Sequence, residues 1–270
     1  MKKTVSVLAI LFSLAYIVSC TKVPITGRRQ MNLIAESEMI QMSLTAYNDF
    51  LTSNTVLPAS DNRVQMVRRI GNKIKDAVEQ FLIEKKQTNR IDGFEWEFNV
   101  VLNDTTINAW CMPGGKVVVY TGILPVTQDE ASLAVVMGHE IAHAIARHGN
   151  ERMSQGLVLN AAGQTLGAVM SDSPGLGRDI FLQAYGIGGT LGMLAYSRNH
   201  ETEADKLGLV FMAMAGYDPN ASIAFWERMS ASGGAAPPEI LSTHPSDATR
   251  IQTLKEFMPE AMKYYKPSSN

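Results

Sequence analysis

Hydrophobic positions change period twice along this chain. Val64, Val67, Ile70, Ile74 and Val78 recur three and four apart, which predicts a helix over 61–84. A helix is also predicted over 35–54, and Pro58, Ser60 and Asp61 between the two read as a break with a cap. Period two then takes over: Phe94, Trp96, Phe98 and Val100 alternate with Glu95, Glu97 and Asn99, the signature of a half-buried strand. Residues 107–122, INAWCMPGGKVVVYTG, hold two short β-prone runs around Pro113-Gly114-Gly115, which predicts a hairpin. Past residue 122 the helical period returns. Thr127 and Glu130 have capping-box spacing at the start of a helix. Residues 153–196 are rich in glycine and small apolar residues, and read as two packed helices with a loop near 171–177; no apolar run there is long enough to span a membrane. Helices are predicted at about 199–215, 219–232 and 246–258, with Asp218-Pro219 as a cap and first-turn proline. The pattern predicts one α+β domain over 35–265, mostly α-helical, with a small sheet whose hairpin presents an edge strand.

The N-terminus follows a different rule. Lys2 and Lys3 precede an apolar run from Val5 to Val18 that is shorter than a membrane span needs. This predicts a signal peptide over 1–19. Ile17-Val18-Ser19-Cys20 resembles a bacterial lipoprotein box, so Cys20 is the expected lipidation site and 20–34 a lipidated tether with an extended lead-in to the fold. Two acyl chains would suffice for stable anchoring. The chain has two cysteines, which excludes a disulfide framework once Cys20 is modified; Cys111 then reads as a small buried hydrophobe. A net charge of -2 and the lack of any nucleic-acid motif argue against RNA or DNA as partner.

The chemistry-bearing stretch is Gly138-His139-Glu140-Ile141-Ala142-His143. Two histidines four apart on a helix lie about 40° apart around the axis and one turn apart along it, so both rings can reach one ion. Glu140 is placed to take a proton from an attacking water rather than to bind the metal. Zinc lowers the pKa of water toward about 7, and hydroxide attack on a polarised carbonyl would follow, with Glu140 passing the proton to the leaving amine. A catalytic zinc usually has three protein ligands. Glu201 and Asp205, four apart, face one side of a helix; one of them can bind zinc while the other orients a ligand histidine. Glu203 is expected to point into solvent. His148 at the end of the histidine helix suits the helix dipole, and it and His200 read as structural. A peptide substrate needs an extended cradle, so Asn108 and Ala109 are the expected substrate-binding edge.

HEIAH, then ETEAD, then Ser242-Thr243-His244-Pro245 with Arg250, resemble the gluzincin peptidases of metallopeptidase family forty-eight, which includes HtpX-type, Oma-type and CAAX-processing proteases. The hairpin and the lead-in VPITGRRQ resemble its periplasmic lipoprotein branch, the LoiP and BepA type, without a TPR lobe. The resemblance implies one zinc held by His139, His143 and Glu201, with Glu140 as catalytic base and Asp205 supporting a histidine. It implies that His244 approaches the metal, as a resting-state ligand or an oxyanion stabiliser, and that Arg250 supports the site. The implied function is a zinc endopeptidase acting on unfolded or misassembled envelope proteins in the bacterial cell envelope, held by its lipid and facing the periplasm. Thr21 after the cysteine, rather than aspartate, favours the outer membrane. The alternative is a latent or non-catalytic chaperone lipoprotein whose zinc is capped by His244.

Overall fold

The computed structural model describes residues 20–160, 174–185, 197–231, 240, 244 and 248–267. The signal peptide expected over 1–19, the loop near 171–177 as far as 173, and Ser242, Thr243 and Pro245 lie outside the described residues. In chain order the elements are β1 (Cys20–Lys22), β2 (Arg29–Met31), α1 (Glu36–Thr52), α2 (Asn62–Glu84), β3 (Glu97–Val101), β4 (Ala109–Met112) and β5 (Lys116–Tyr120). A short α3 (Leu124–Thr127) leads to α4 (Glu130–Ala146), α5 (His148–Asn160), α6 (Pro174–Tyr185), α7 (Arg198–Met214), α8 (Ala221–Ala231) and α9 (Ala248–Ala261). The fold is therefore mostly helical with a small sheet, as the pattern predicts. Among the described residues no helix is long and apolar enough to cross a membrane.

The lead-in segment is not simply extended: β1 and β2 pair antiparallel, Cys20 opposite Met31. The main sheet has the order β3-β5-β4, with β3 parallel and β4 antiparallel to β5. Its two faces feed different cores. Phe98, Val100, Ala109, Cys111, Val117 and Val119 join the core formed by α2, α4 and α7. Val101, Trp110, Met112 and Val118 join a second core under α1 and α6. With both faces covered, the hairpin strands are buried along their length, and Cys111 is a buried free thiol as expected. The hairpin turn needs Gly114 and Gly115, both at positive φ (83° and 78°).

Two helix starts differ from expectation. Thr127 ends α3 instead of capping α4; Asp129 is the cap, its carboxylate accepting from the Ser132 amide at 2.7 Å. Asp218 does not begin a helix at Pro219. It accepts from the Asn220 amide at 2.9 Å in a local turn, and α8 begins at Ala221.

α4 and α7 cross at two glycines. A Cβ on Gly138 would lie 3.0 Å from the Gly208 carbonyl oxygen, and one on Gly208 would lie 2.9 Å from the His139 amide nitrogen. The absence of side chains lets the two backbones touch, and that contact sets the distance between the residues each helix carries.

Candidate metal centre

α4 is buried from Ser132 to Ala146, so its histidines sit in the interior. The Ser197 hydroxyl caps α7 by accepting from the His200 amide at 3.3 Å. This places Glu201 and Asp205 opposite α4. His139, His143, Glu201 and His244 converge, all buried, with one ligand atom of each within 4.8 Å of the others.

The hydrogen bonds behind these rings fix what they present. Asp205 Oδ1 lies 2.9 Å from His139 Nδ1 and accepts its N–H, which leaves His139 Nε2 facing the centre. His143 Nδ1 lies 2.9 Å from His148 Nδ1, and His148 Nε2 donates to Glu203 Oε2 at 3.0 Å. Burial pushes His148 down to about 4 against the pull of Glu203, so its ring is neutral at pH 7 and accepts at Nδ1. His143 must then donate from Nδ1 and turn an Nε2 lone pair to the centre. The Nε2 atoms of His139 and His143 are 3.0 Å apart, and His244 Nδ1 is 3.2 Å from His139 Nε2.

Ring nitrogens that close need a hydrogen or a cation between them, and in the protein alone a second proton on His139 is favoured. Burial and Arg250 oppose that proton, but Asp205 and Glu201 raise the ring to about 9. Burial also opposes charge on Glu201, yet His244, His139 and His143 hold its carboxyl well below the usual range. Among the described residues Glu140 Oε1 accepts no hydrogen bond, and Glu201 Oε2 is held by the Arg250 ion pair. Imidazole nitrogens with one ionised carboxylate are the donor set of zinc, and these residues fit it.

Glu140 is buried beside the group, its Oε1 3.5 Å from His244 Nε2. Burial raises its carboxyl, with His244 and His139 pulling the other way. His244 Nδ1 is 3.0 Å from Glu201 Oε1, so this ring touches both the carboxylate ligand candidate and the base candidate. Arg250 grips Asp205 through Nε at 2.8 Å and Nη2 at 2.6 Å, reaches Glu201 Oε2 from Nη1 at 3.2 Å, and stacks 3.4 Å over the Trp226 ring. One guanidinium thus fixes two of the three carboxylates of α7, Glu201 and Asp205.

Asn108 and Ala109 lead into β4, which is an edge of the sheet among the described residues and packs along α4. Both side chains are buried rather than exposed. Tyr120 N–H donates to the Asn108 carbonyl at 3.2 Å, so the Asn108 backbone faces β5 and the Ala109 amide points away from it. The Ala109 amide donates to Asn108 Oδ1 at 2.8 Å. The Cys20 backbone lies in β1.

The layer behind the site departs from the sequence reading. Glu203 is buried, not solvated, because His148 and Arg28 both bind it. His148 does not cap α4. Arg147 ends that helix in the left-handed region (φ 61°), and His148 opens α5 turned back under His143. Only the abrupt junction of two helices brings residues 143 and 148 together, so periodicity cannot reveal it. Gly138 and Gly208 were also silent in the pattern, although a glycine next to each ligand-bearing stretch is a usable signal.

The comparisons agree with the geometry. The model of peptidase family M48 matches residues 68–258. The mitochondrial metalloendopeptidase OMA1 of Schizosaccharomyces pombe is 34% identical over 243 residues, covering 88% of this chain and 66% of that protein. OMA1 of Saccharomyces cerevisiae is 32% identical over 274 residues, 97% of this chain and 76% of that protein. The β-barrel assembly-enhancing protease of Escherichia coli is 32% identical over 159 residues, covering 56% of this chain and 32% of that protein. These matches overturn the placement in the bacterial outer membrane facing the periplasm. The relatives aligned over most of the chain are named as mitochondrial, and the bacterial one aligns over little more than half. The lipoprotein branch is likewise not singled out. The matched span holds both α4 and α7, and with them every residue of the converging group; this chain belongs to peptidase family M48.

Proposed function

We propose that this protein is a zinc endopeptidase that hydrolyses peptide bonds in unfolded or misassembled proteins. The observation that carries the reading is the buried convergence of His139, His143 and Glu201 with Glu140 beside them. Those three residues would hold the metal. Zinc, when bound, supplies a Lewis acid that polarises a carbonyl and makes water acidic near neutral pH. Glu140 acts as general base: buried, with an unoccupied carboxylate oxygen, it takes the proton of the attacking water and delivers it to the leaving nitrogen. Asp205 keeps the His139 ring in the tautomer the site needs, and Arg250 keeps Asp205 and Glu201 aimed. The substrate backbone pairs with β4 at Ala109, whose outward amide exchanges Asn108 Oδ1 for a substrate carbonyl. Ala109→Pro removes that donor and should raise KM or abolish cleavage with the fold retained; unchanged kinetics contradict the pairing.

A second reading has an observation of its own. His244 touches Glu201 and Glu140, so with His244 as fourth ligand the centre is closed, as structural zinc sites are. That state is latent. His244→Ala should raise activity if the ring caps the centre, and lower it if the ring stabilises the oxyanion. Acylation of Cys20 is also part of the proposal and rests on the charged and apolar run before it. Intact mass of the membrane fraction decides: an unmodified chain still carrying residues 1–19 contradicts it.

A further inference from the structure

A strap from the N-terminal hairpin reaches the back of the metal centre. Arg28 follows the turn between β1 and β2, far in sequence from the two carboxylates it binds. Its guanidinium takes Glu151 of α5 in a two-pronged pair, Nη1 to Oε1 at 2.8 Å and Nη2 to Oε2 at 2.7 Å. It also takes Glu203 of α7, Nε to Oε1 at 2.9 Å and Nη2 to Oε2 at 2.9 Å. Thr26 adds a hydroxyl donor to Glu203 Oε1 at 2.7 Å. Each carboxylate then receives one ring: His148 Nε2 lies 3.0 Å from Glu203, and His200 Nε2 lies 3.0 Å from Glu151. The two rings stack, with centroids 4.5 Å apart. His148 in turn accepts from His143.

The alternative role for such a cluster is to pin the hairpin to the domain. Two features exceed what pinning needs. The guanidinium spends its donors on two buried carboxylates from different helices, a planar fork that fixes their orientation and not only their charge. And Glu203 is the acceptor that settles which nitrogen of His148 carries hydrogen, which settles the same question for His143.

We propose that Arg28 is a positioning residue of the metal centre, which orients Glu203 and, through His148, the ring of His143. The proposal rests on the zinc reading above. A ligand held through two intermediaries loses orientation when the outermost clamp goes, while Asp205 and Arg250 still hold His139. Arg28 therefore controls one ligand of the pair and not the other.

The test is zinc affinity by chelator competition on the full chain, with melting of the metal-free protein measured alongside. Arg28→Met should weaken zinc binding about tenfold, within the usual effect of outer-shell partners. The same substitution made in a His148→Ala background should weaken it no further, since the link is already cut. Arg28→Lys keeps a charge but not the fork; it should give a smaller loss with the same dependence on His148, and it carries the test should Arg28→Met not fold. Unchanged affinity in Arg28→Met with a lowered melting temperature would show Arg28 to be a pin only, and overturns the proposal. An undiminished loss in the His148→Ala background overturns it too. A wild-type chain that binds no zinc would instead refute the metal reading itself.

Discussion

At the scale of single residues the site is built from tautomers. His139 and His143 four apart on one helix could be read from the sequence, as could a carboxylate at Glu201 and a partner at Asp205. The layer behind them could not. Glu203 sits two residues from Glu201 and so faces away from the centre, which suggested solvent. The structure puts a second buried layer on that side, because α5 folds back there with His148. The prediction at this scale concerns Asp205. Asp205→Asn keeps the shape and can still accept from His139, but as a neutral amide it supports the ring less. Zinc affinity should fall about ten- to a hundred-fold, measured by chelator competition. An unchanged affinity would mean that Asp205 serves packing alone.

At the scale of elements, what matters is how closely α4 approaches α7. The sequence pattern located both helices and the sheet hairpin between its glycines, although α4 and most of α7 are buried on every side rather than along one stripe. It misplaced the caps at Thr127 and Asp218, whose side chains make local bonds instead, Thr127 to the Leu124 carbonyl and Asp218 to the Asn220 amide. It gave no sign of the Gly138–Gly208 contact, which is a tertiary fact. That contact makes a prediction. Gly208→Ala adds a Cβ 2.9 Å from the His139 amide nitrogen, which belongs to a rigid helix backbone. The helices must separate, at a cost of about 1–3 kcal/mol. Thermal melting should show that loss, together with weaker zinc binding. A variant as stable as the parent and equally tight for zinc would show that the crossing tolerates a methyl group.

At the scale of the whole molecule, the mostly helical class and the small sheet were legible, since both follow from where the period changes. The tie between the N-terminal strap and the centre was not, because Arg28 and Glu203 are 175 residues apart. That tie makes stability depend on pH. Burial opposes the charge on Glu151, but hydrogen bonds from Arg28 and His200 bring its carboxyl down to about 2 from its ordinary 4.5. A carboxyl depressed on folding stabilises the native state above its unfolded pKa. That contribution fades as pH falls from about 4.5 towards about 2. Glu151→Gln should therefore lower stability at neutral pH and flatten its decline across that acid range. Denaturant titrations at several pH values read both effects, and a variant whose stability falls with acid as steeply as the parent's would contradict the assignment.

Most direct for the central claim is cleavage of unfolded casein by the chain and by Glu140→Gln, with zinc content measured on both. The account predicts that both proteins hold one zinc, that the wild type cuts, and that the variant's kcat is lower by at least about a hundredfold. A variant that holds zinc and cuts as fast as wild type would contradict it.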